Sequence, residues 1–220
     1  MAETAGFARS SIGRKVTMAV TGAILFGFVL AHMIGNLQVY LGPEALNHYA
    51  VFLRQVLHGA GLWIARAVLL VAVILHIWSA TSLTLTSRKA RPIGYREQKW
   101  RESTYASRTM RWGGVIILLF VIYHLLHFTT GTLHPSFIEG DVYHNFIAGF
   151  RSVPVSLFYI FAMLALGLHL RHGLWSMFQT LGVSHPRYIR AARIGAWAFA
   201  ILIVIGNISF PLAVLAGIVR

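Results

Sequence analysis

Residues 153–178 read VPVSLFYIFAMLALGLHLRHGLWSMF, and this stretch decides the fold class. Residues 153–170 contain no Asp, Glu, Lys or Arg, and their apolar side chains do not alternate as in a half-buried strand. A helix needs roughly 20 mostly apolar residues to cross the hydrocarbon core of a bilayer, where every backbone polar group must be satisfied internally. The stretch therefore predicts a transmembrane helix.

Four other segments have the same character. Together they give five predicted spans, at residues 16–41, 62–86, 112–133, 153–178 and 194–219. The composition agrees, because 57% of the 220 residues are hydrophobic and only 11% are charged, whereas soluble domains carry about 25% charged residues. We expect one all-α integral membrane domain over residues 1–220, built as a bundle of five transmembrane helices.

The charges are strongly basic and unevenly placed. The chain has 19 Lys and Arg against six Asp and Glu, a formal net charge of +13. A nucleic-acid-binding protein can be as basic, but it would not leave whole spans free of charge, so we expect no nucleic-acid partner. Nearly all cations flank the spans on one side, and the other side keeps only Arg54, Arg66, Arg151 and Arg220. The positive-inside rule then predicts a cytoplasmic N-terminus and an external C-terminus.

Three connecting segments are informative. Pro43 suits the first position of a helix, so a short surface helix is expected from Pro43 to about Leu57, ended by Gly59 and Gly61. The external loop 134–152 is polar and aromatic. The cytoplasmic segment 87–111 is the most basic part of the chain. There are two interpretations of this basic segment. It follows from the positive-inside rule alone, or it is a docking face for an acidic soluble partner or for anionic lipid.

Histidine is the chemistry-bearing residue of the spans. No Asp or Glu lies within them, and the absence of cysteine excludes disulfides, thiolate zinc sites and iron–sulfur clusters in this chain. The intramembrane histidines occupy the first four spans: His32, His76, His124, His127, His169 and His172. They suffice for two haems with two axial imidazoles each, a closed iron that passes electrons without binding oxygen. The alternative is that each histidine only forms hydrogen bonds between helices.

Depth along the helices suggests the pairing. At a rise of ~1.5 Å per residue, His32 lies about 26 Å from Lys15 and His124 about 20 Å from Arg111. Measured from the cytoplasmic ends of their own helices, His76 and His169 lie only about 18 Å and 15 Å deep. We therefore pair His32 with His124 toward the outside, and His76 with His169 toward the cytoplasm. His127 and His172 each follow a paired histidine by three residues, and spacing alone leaves either of them open as the ligand.

The residues around these histidines resemble a known family. The resemblance is carried by Thr21-Gly22 ten residues before His32, by Leu75-His76-Ile77-Trp78, by Gly114 ten residues before His124, and by His169-Leu-Arg-His-Gly-Leu-Trp-Ser176. They look like the cytochrome b membrane-anchor subunit of succinate:quinone oxidoreductase (complex II), in the single-polypeptide dihaem type of bacterial succinate dehydrogenases and fumarate reductases. The likeness extends over nearly the whole chain.

The resemblance implies a role for each histidine. His76 and His169 would ligate the iron of the proximal haem, nearer the iron–sulfur partner, and His32 and His124 that of the distal haem. It favours His124 over His127 and His169 over His172, which we expect to be supporting donors or propionate contacts. The implied cofactors are two haem b groups, with menaquinone or another quinone as substrate. The resemblance assigns no catalytic residue. Some relatives use a membrane glutamate near the distal haem, but no acidic residue lies within a span here. Glu44 lies at the outer edge and is not assigned that role, so the quinone site stays open.

The resemblance also implies the function and the partners. The chain would anchor a flavoprotein subunit and an iron–sulfur subunit to the bacterial inner membrane and pass their electrons to the quinone, in the respiratory chain and the tricarboxylic acid cycle. It would be the part of the enzyme that does not handle the dicarboxylate, and assembly into higher oligomers is compatible with this role. Two other functions are weighed against this one: a cytochrome b subunit of a membrane-bound hydrogenase or formate dehydrogenase, and a haem-free anchor or transporter.

Overall fold

The computed structural model of the chain describes residues 6–7, 10–90, 105–182 and 185–220, and every regular element in these ranges is helical. The helices are α1 (Ser11–Asn36), α2 (Pro43–Gln55), α3 (Ala60–Lys89), α4 (Tyr105–His124), α5 (Val142–Phe150), α6 (Val153–Thr180) and α7 (Pro186–Leu215). In the described part, α1, α3, α4, α6 and α7 are the helices long and apolar enough to cross a membrane. The predicted class, an all-α membrane protein with five spans, is confirmed.

The turn between α1 and α3 follows the local sequence. A 3-10 turn at Leu37–Leu41 prolongs α1, Gly42 adopts φ 99°, and Pro43 then opens α2 as predicted. A second 3-10 turn, Val56–Gly59, holds Leu57 and His58 in the left-handed region before α3 begins. The predicted surface helix is therefore confirmed, two residues shorter than expected at its end.

The segment between α4 and α6 differs from the sequence-based expectation. The third span was expected to reach residue 133, but α4 passes into a π-helical turn at Leu125–Thr129 and stops there. The predicted external loop contains helix α5, which the sequence analysis did not predict. The Asp141 side chain caps α5 by accepting a hydrogen bond from the His144 N–H, and α5 buries Phe146, Ile147 and Phe150. The fifth span also begins earlier than predicted, at Pro186, and ends at Leu215.

The helices pack closely in some pairs and not in others. Helix α6 packs against α7 and α4, and α1 packs against α3, with α1 also reaching α6 and α7. Small residues allow the close approaches: Gly167 of α6 faces Val204 of α7, and Ala162, Ala196 and Ala200 are buried. Such small-residue contacts are the usual way in which membrane helices approach each other. By contrast, α1 and α4 are not among the closely packed pairs, and neither are α3 and α6.

The basic residues near the start of α1 and between α3 and α4 are described only in part. Residues 91–104, which form most of the basic segment proposed as a docking face, lie outside the described residues. Arg14 is described, and its guanidinium donates to Ser82 Oγ at 2.6 Å and to Thr86 Oγ1 at 3.1 Å. These bonds tie the start of α1 to the end of α3.

Candidate functional site

The four histidines singled out as ligands form two facing pairs. The imidazoles of His32 on α1 and His124 on α4 have ring centroids 5.8 Å apart, with planes at 89°. Those of His76 on α3 and His169 on α6 have centroids 6.3 Å apart, with planes at 60°. The structure thus brings together the same partners that the depth argument paired, each across two helices that do not otherwise pack closely.

The two separations suit a metal held between two imidazoles. With metal–nitrogen bonds of about 2 Å and ring nitrogens about 1 Å from their centroids, two imidazoles on opposite sides of one metal atom have centroids about 6 Å apart. Among the described residues, no three His, Asp or Glu side chains converge as a metal site would need. A porphyrin-bound iron takes only two axial ligands from the protein, so the residues present fit a haem better than a metal held by side chains alone.

Thr21 orients His76. Its Oγ1 donates to the Thr17 carbonyl at 2.7 Å and lies 3.2 Å from His76 Nδ1. The Thr21 hydroxyl has one hydrogen to donate, and its shorter contact is the one to the Thr17 carbonyl. With that hydrogen on Thr17, the Thr21 oxygen is free to accept from His76 Nδ1–H, which would leave the lone pair of His76 on Nε2. Gly22 lies directly beside the ring, since a Cβ there would be 3.3 Å from His76 Cε1.

Tyr159 of α6 lies beside His124. Its hydroxyl oxygen is 3.4 Å from His124 Nδ1 and 3.0 Å from the Nδ1 of His127. From the sequence, His127 was expected to be a supporting donor or propionate contact, and Tyr159 was not singled out. The one sign of Tyr159 in the sequence is that it is the only tyrosine in the charge-free run 153–170.

His127 itself is completely buried and does not line the space between α1 and α4 with His32. Its ring stacks on His134 at 5.0 Å and on Tyr123 at 5.4 Å, and its Nε2 has no hydrogen-bond partner among the described residues. It therefore contacts the predicted ligand His124 through Tyr159. The expectation that His127 supports a ligand stays a prediction, with Tyr159 as the connecting group.

The remaining members of the pairs are held by packing. His32 stacks on Phe28 at 5.3 Å and is otherwise exposed on the surface of the described chain. His169 Nδ1 is buried without a hydrogen-bond partner in the described part. No hydrogen bond therefore fixes the tautomer of either ring as Thr21 does for His76.

Arg171, which lies next to His172, faces α7. Its guanidinium carbon lies 4.0 Å from the centroid of Trp197, and Arg193 of α7 lies reciprocally over Trp175 of α6 at 4.7 Å. His172 is half-buried. The role of His172 as a supporting donor stays a prediction.

A cavity on the opposite side of the bundle from Arg171 and Trp197 is separate from both histidine pairs. It measures about 380 Å³, is open to the outside, and is lined by residues of the first 3-10 turn, α5 and the C-terminus, including Tyr40, Tyr143 and Arg220. None of the four paired histidines lines it. Glu44 is exposed on α2 and does not line it either.

Comparison with known proteins gives one match. Residues 87–205 match a family model described as the succinate dehydrogenase/fumarate reductase transmembrane subunit. The matched region includes α4, α5 and α6, and so contains one histidine of each pair, His124 and His169. Neither a curated protein nor a solved structure matches the chain.

Proposed function

Since the chain belongs to the succinate dehydrogenase/fumarate reductase transmembrane subunit family, we propose that it is the dihaem cytochrome b anchor of a succinate:quinone oxidoreductase. In this role a flavoprotein subunit passes electrons to an iron–sulfur subunit. The chain receives them from the iron–sulfur subunit and delivers them to menaquinone or another quinone. The oxidation or reduction of the dicarboxylate belongs to the soluble subunits. The cell compartment that fits is the bacterial inner membrane, with the N-terminus in the cytoplasm.

The observation that carries the proposal is the presence of two imidazole pairs with centroids 5.8 Å and 6.3 Å apart. Two such pairs on four different helices support two separate haem b groups, with His76 and His169 at the proximal one and His32 and His124 at the distal one. When bound, each haem supplies one-electron redox chemistry.

The chain's own residues have three tasks. The four histidines hold the haems at two depths, so that one haem lies nearer each membrane face. Thr21 keeps the lone pair of His76 on Nε2, and Gly22 gives the ring the space to face His169. The apolar helices around the pairs exclude water and lower the local dielectric, which together with the axial ligands sets the reduction potentials.

The uneven distribution of acidic and basic residues supports one side of the bundle as the docking position of the soluble subunits. Every acidic residue in the described part, namely Glu44, Glu139 and Asp141, lies in the segments joining α1 to α3 or α4 to α6. The opposite side of the bundle has Arg14, Arg88, Lys89 and the arginines of the α6–α7 end, without a described acid. An acidic iron–sulfur subunit would be attracted to that basic side.

The proposal is tested on the chain purified from membranes in detergent. A reduced-minus-oxidised spectrum and a pyridine haemochrome assay should show two b-type haems per chain. The absence of haem would overturn the proposal in favour of a haem-free anchor, and a single haem would overturn its dihaem part. Co-purification with a flavoprotein and an iron–sulfur protein is expected, and a hydrogenase or formate dehydrogenase partner in their place would support the rival cytochrome.

A further inference from the structure

The hydroxyl group of Tyr159 is shared by the imidazoles of His124, at the end of α4, and of His127, in the π-helical turn that follows. It lies 3.4 Å from His124 Nδ1 and 3.0 Å from His127 Nδ1. Tyr159 is itself buried, with 5% of its surface exposed, and the ring of His127 is not exposed at all. Water therefore does not compete for the Tyr159 hydroxyl or the His127 ring, and the hydrogen of Tyr159 must be given to one of the two neighbouring Nδ1 atoms.

A tyrosine hydroxyl has one hydrogen to give, while its oxygen can accept others. Tyr159 can therefore donate to only one of the two Nδ1 atoms, and it can form a hydrogen bond with the other only by accepting its N–H. If Tyr159 donated to His124, the His124 hydrogen would be on Nε2, and that nitrogen would have no lone pair for a metal. If Tyr159 accepts from His124 Nδ1–H, the lone pair of His124 is on Nε2 and the Tyr159 hydrogen points to His127 Nδ1.

The second arrangement requires His127 to be an acceptor at Nδ1, and the structure holds its ring for that contact. His127 lies in the π-helical turn Leu125–Thr129, between the rings of Tyr123 and His134. Gly149 of α5 closes the remaining side, because a Cβ there would be 2.8 Å from His127 Cε1. The ring cannot turn without disturbing these neighbours, so its Nδ1 stays directed at Tyr159.

We propose that Tyr159 and His127 are positioning residues that select the metal-binding tautomer of His124. His127 accepts the Tyr159 hydrogen, the Tyr159 oxygen accepts the His124 Nδ1–H, and His124 Nε2 is left to face His32. The inference rests on the proposed function, because it concerns the ligand of the distal haem. Hydrogen bonds from the second nitrogen of a ligating histidine commonly fix its tautomer and raise its basicity.

The first experiment replaces Tyr159 by Phe in the full chain purified from membranes. The midpoint potentials of both haems are measured by redox titration, and the low-spin ferric signals by electron paramagnetic resonance. Loss of the acceptor for His124 Nδ1–H makes the ligand less basic and stabilises the ferric state less. We expect one haem to shift to a higher potential with altered g values, while the other is unchanged.

Tyr143→Phe is the matched control. It removes the same atom, and the Tyr143 hydroxyl donates to the Arg220 carbonyl, away from both histidine pairs. We expect neither haem to change in this variant. Unchanged potentials and signals in Tyr159→Phe, or equal shifts in both variants, would overturn the inference.

The second experiment tests His127. His127→Leu removes the acceptor, which frees the Tyr159 hydrogen to turn toward His124, so one haem should be bound in lower yield. His127→Gln keeps a carbonyl oxygen as an acceptor and should restore that yield. In the Tyr159→Phe background, His127→Leu should have no further effect on that haem, because the hydroxyl through which it acts is gone. An undiminished effect in that background would contradict the proposed relay.

The outcomes separate this inference from the proposed function. If the unmodified chain binds no haem, the proposed function fails. If the unmodified chain binds two haems and Tyr159→Phe alters neither, only the role of Tyr159 and His127 fails.

Discussion

Gly22 of α1 lies against the imidazole of His76 of α3, so that a Cβ at Gly22 would be 3.3 Å from His76 Cε1. That distance is closer than ordinary van der Waals contact, and any side chain at residue 22 must therefore displace the ring. The glycine thus sets how closely the first helix approaches the histidine that faces His169.

Gly22→Val should therefore cost the chain one haem. The added isopropyl group, beginning with its Cβ, pushes His76 away from Thr21 Oγ1 and from its place opposite His169. We expect the pyridine haemochrome assay to give about one haem per chain instead of two, with the protein still in the membrane. Gly195→Val is the control, because residue 195 of α7 has open space around its Cβ position. Two haems in Gly22→Val would contradict this role.

Alanine substitutions of the four histidines should fall into two classes. His76→Ala and His169→Ala should each remove the same haem and leave the other, while His32→Ala and His124→Ala should each remove the second. The reason is that the ring centroids of each pair lie near 6 Å apart, which suits two imidazoles on one iron. Either substitution in a pair therefore removes a ligand of the same haem. The measurement is the redox titration of each variant, in which one of two steps disappears. If His32→Ala and His76→Ala lost the same step, the pairing would be wrong.

The Asp141 carboxylate should make the segment between α4 and α6 sensitive to acid. The N–H of His144 and the amide of Asn47 donate to it and hold the pKa of Asp141 below its ordinary value of 3.8. Its stabilising contribution is complete above that ordinary value and is lost as the pH falls through the lower pKa of the folded state. Asp141→Ala should lower the free energy of unfolding by about 1 kcal/mol at pH 6, as for the loss of a helix cap.

The measurement for Asp141 is thermal unfolding in detergent, followed by circular dichroism, at pH 6 and at pH values below 3.8. The difference between the unmodified chain and Asp141→Ala should shrink at the lower pH. A difference that stayed constant, or grew with acid, would mean that the carboxylate does not contribute in its charged form.

The reciprocal stacking of Arg171 on Trp197 and of Arg193 on Trp175 should stabilise the α6–α7 pair. Each contact of this kind contributes about 0.5–2 kcal/mol, depending on how far it is removed from water. Trp197→Leu should therefore lower the thermal midpoint of the purified chain. Trp63→Leu is the control, because Arg66 stacks on Trp63 within the single helix α3 and joins no helix pair. If Trp63→Leu lowered the thermal midpoint as much as Trp197→Leu, the stacking would not contribute specifically to the packing of α6 against α7.

The sequence predicted the spans because their signal is local. A run such as residues 153–170 has no charge to place in water, and the length of a bilayer crossing follows from the helical rise. Helix α2 was also predictable, since Pro43 and Glu44 are typical of a helix start. The pairing of the histidines was predictable from their distance to the helix ends. In a bundle of parallel and antiparallel spans, that distance measures the depth of a residue in the membrane.

The rest depended on contacts between distant parts of the chain. Helix α5 is short, and its position is fixed by Asn47, whose amide donates to Asp141 and whose carbonyl accepts from the Tyr143 N–H. The early end of α4 depends on a π-helical turn and on Gly131 at φ 72°, packed against Phe137. The role of Tyr159 could not be predicted from the pattern of its own helix, because its partners His124 and His127 lie at the end of α4 and in the turn that follows it.

Both imidazole pairs join the first half of the chain to the second. Histidines 32 and 76 lie on α1 and α3, their partners lie on α4 and α6, and α3 packs closely only against elements of the first half in the described part. During synthesis, the His32–His124 pair can form once α4 has emerged from the ribosome, but the His76–His169 pair must wait for α6. The two pairs are therefore completed in a fixed order, and a chain released before residue 169 would leave His76 without its partner imidazole.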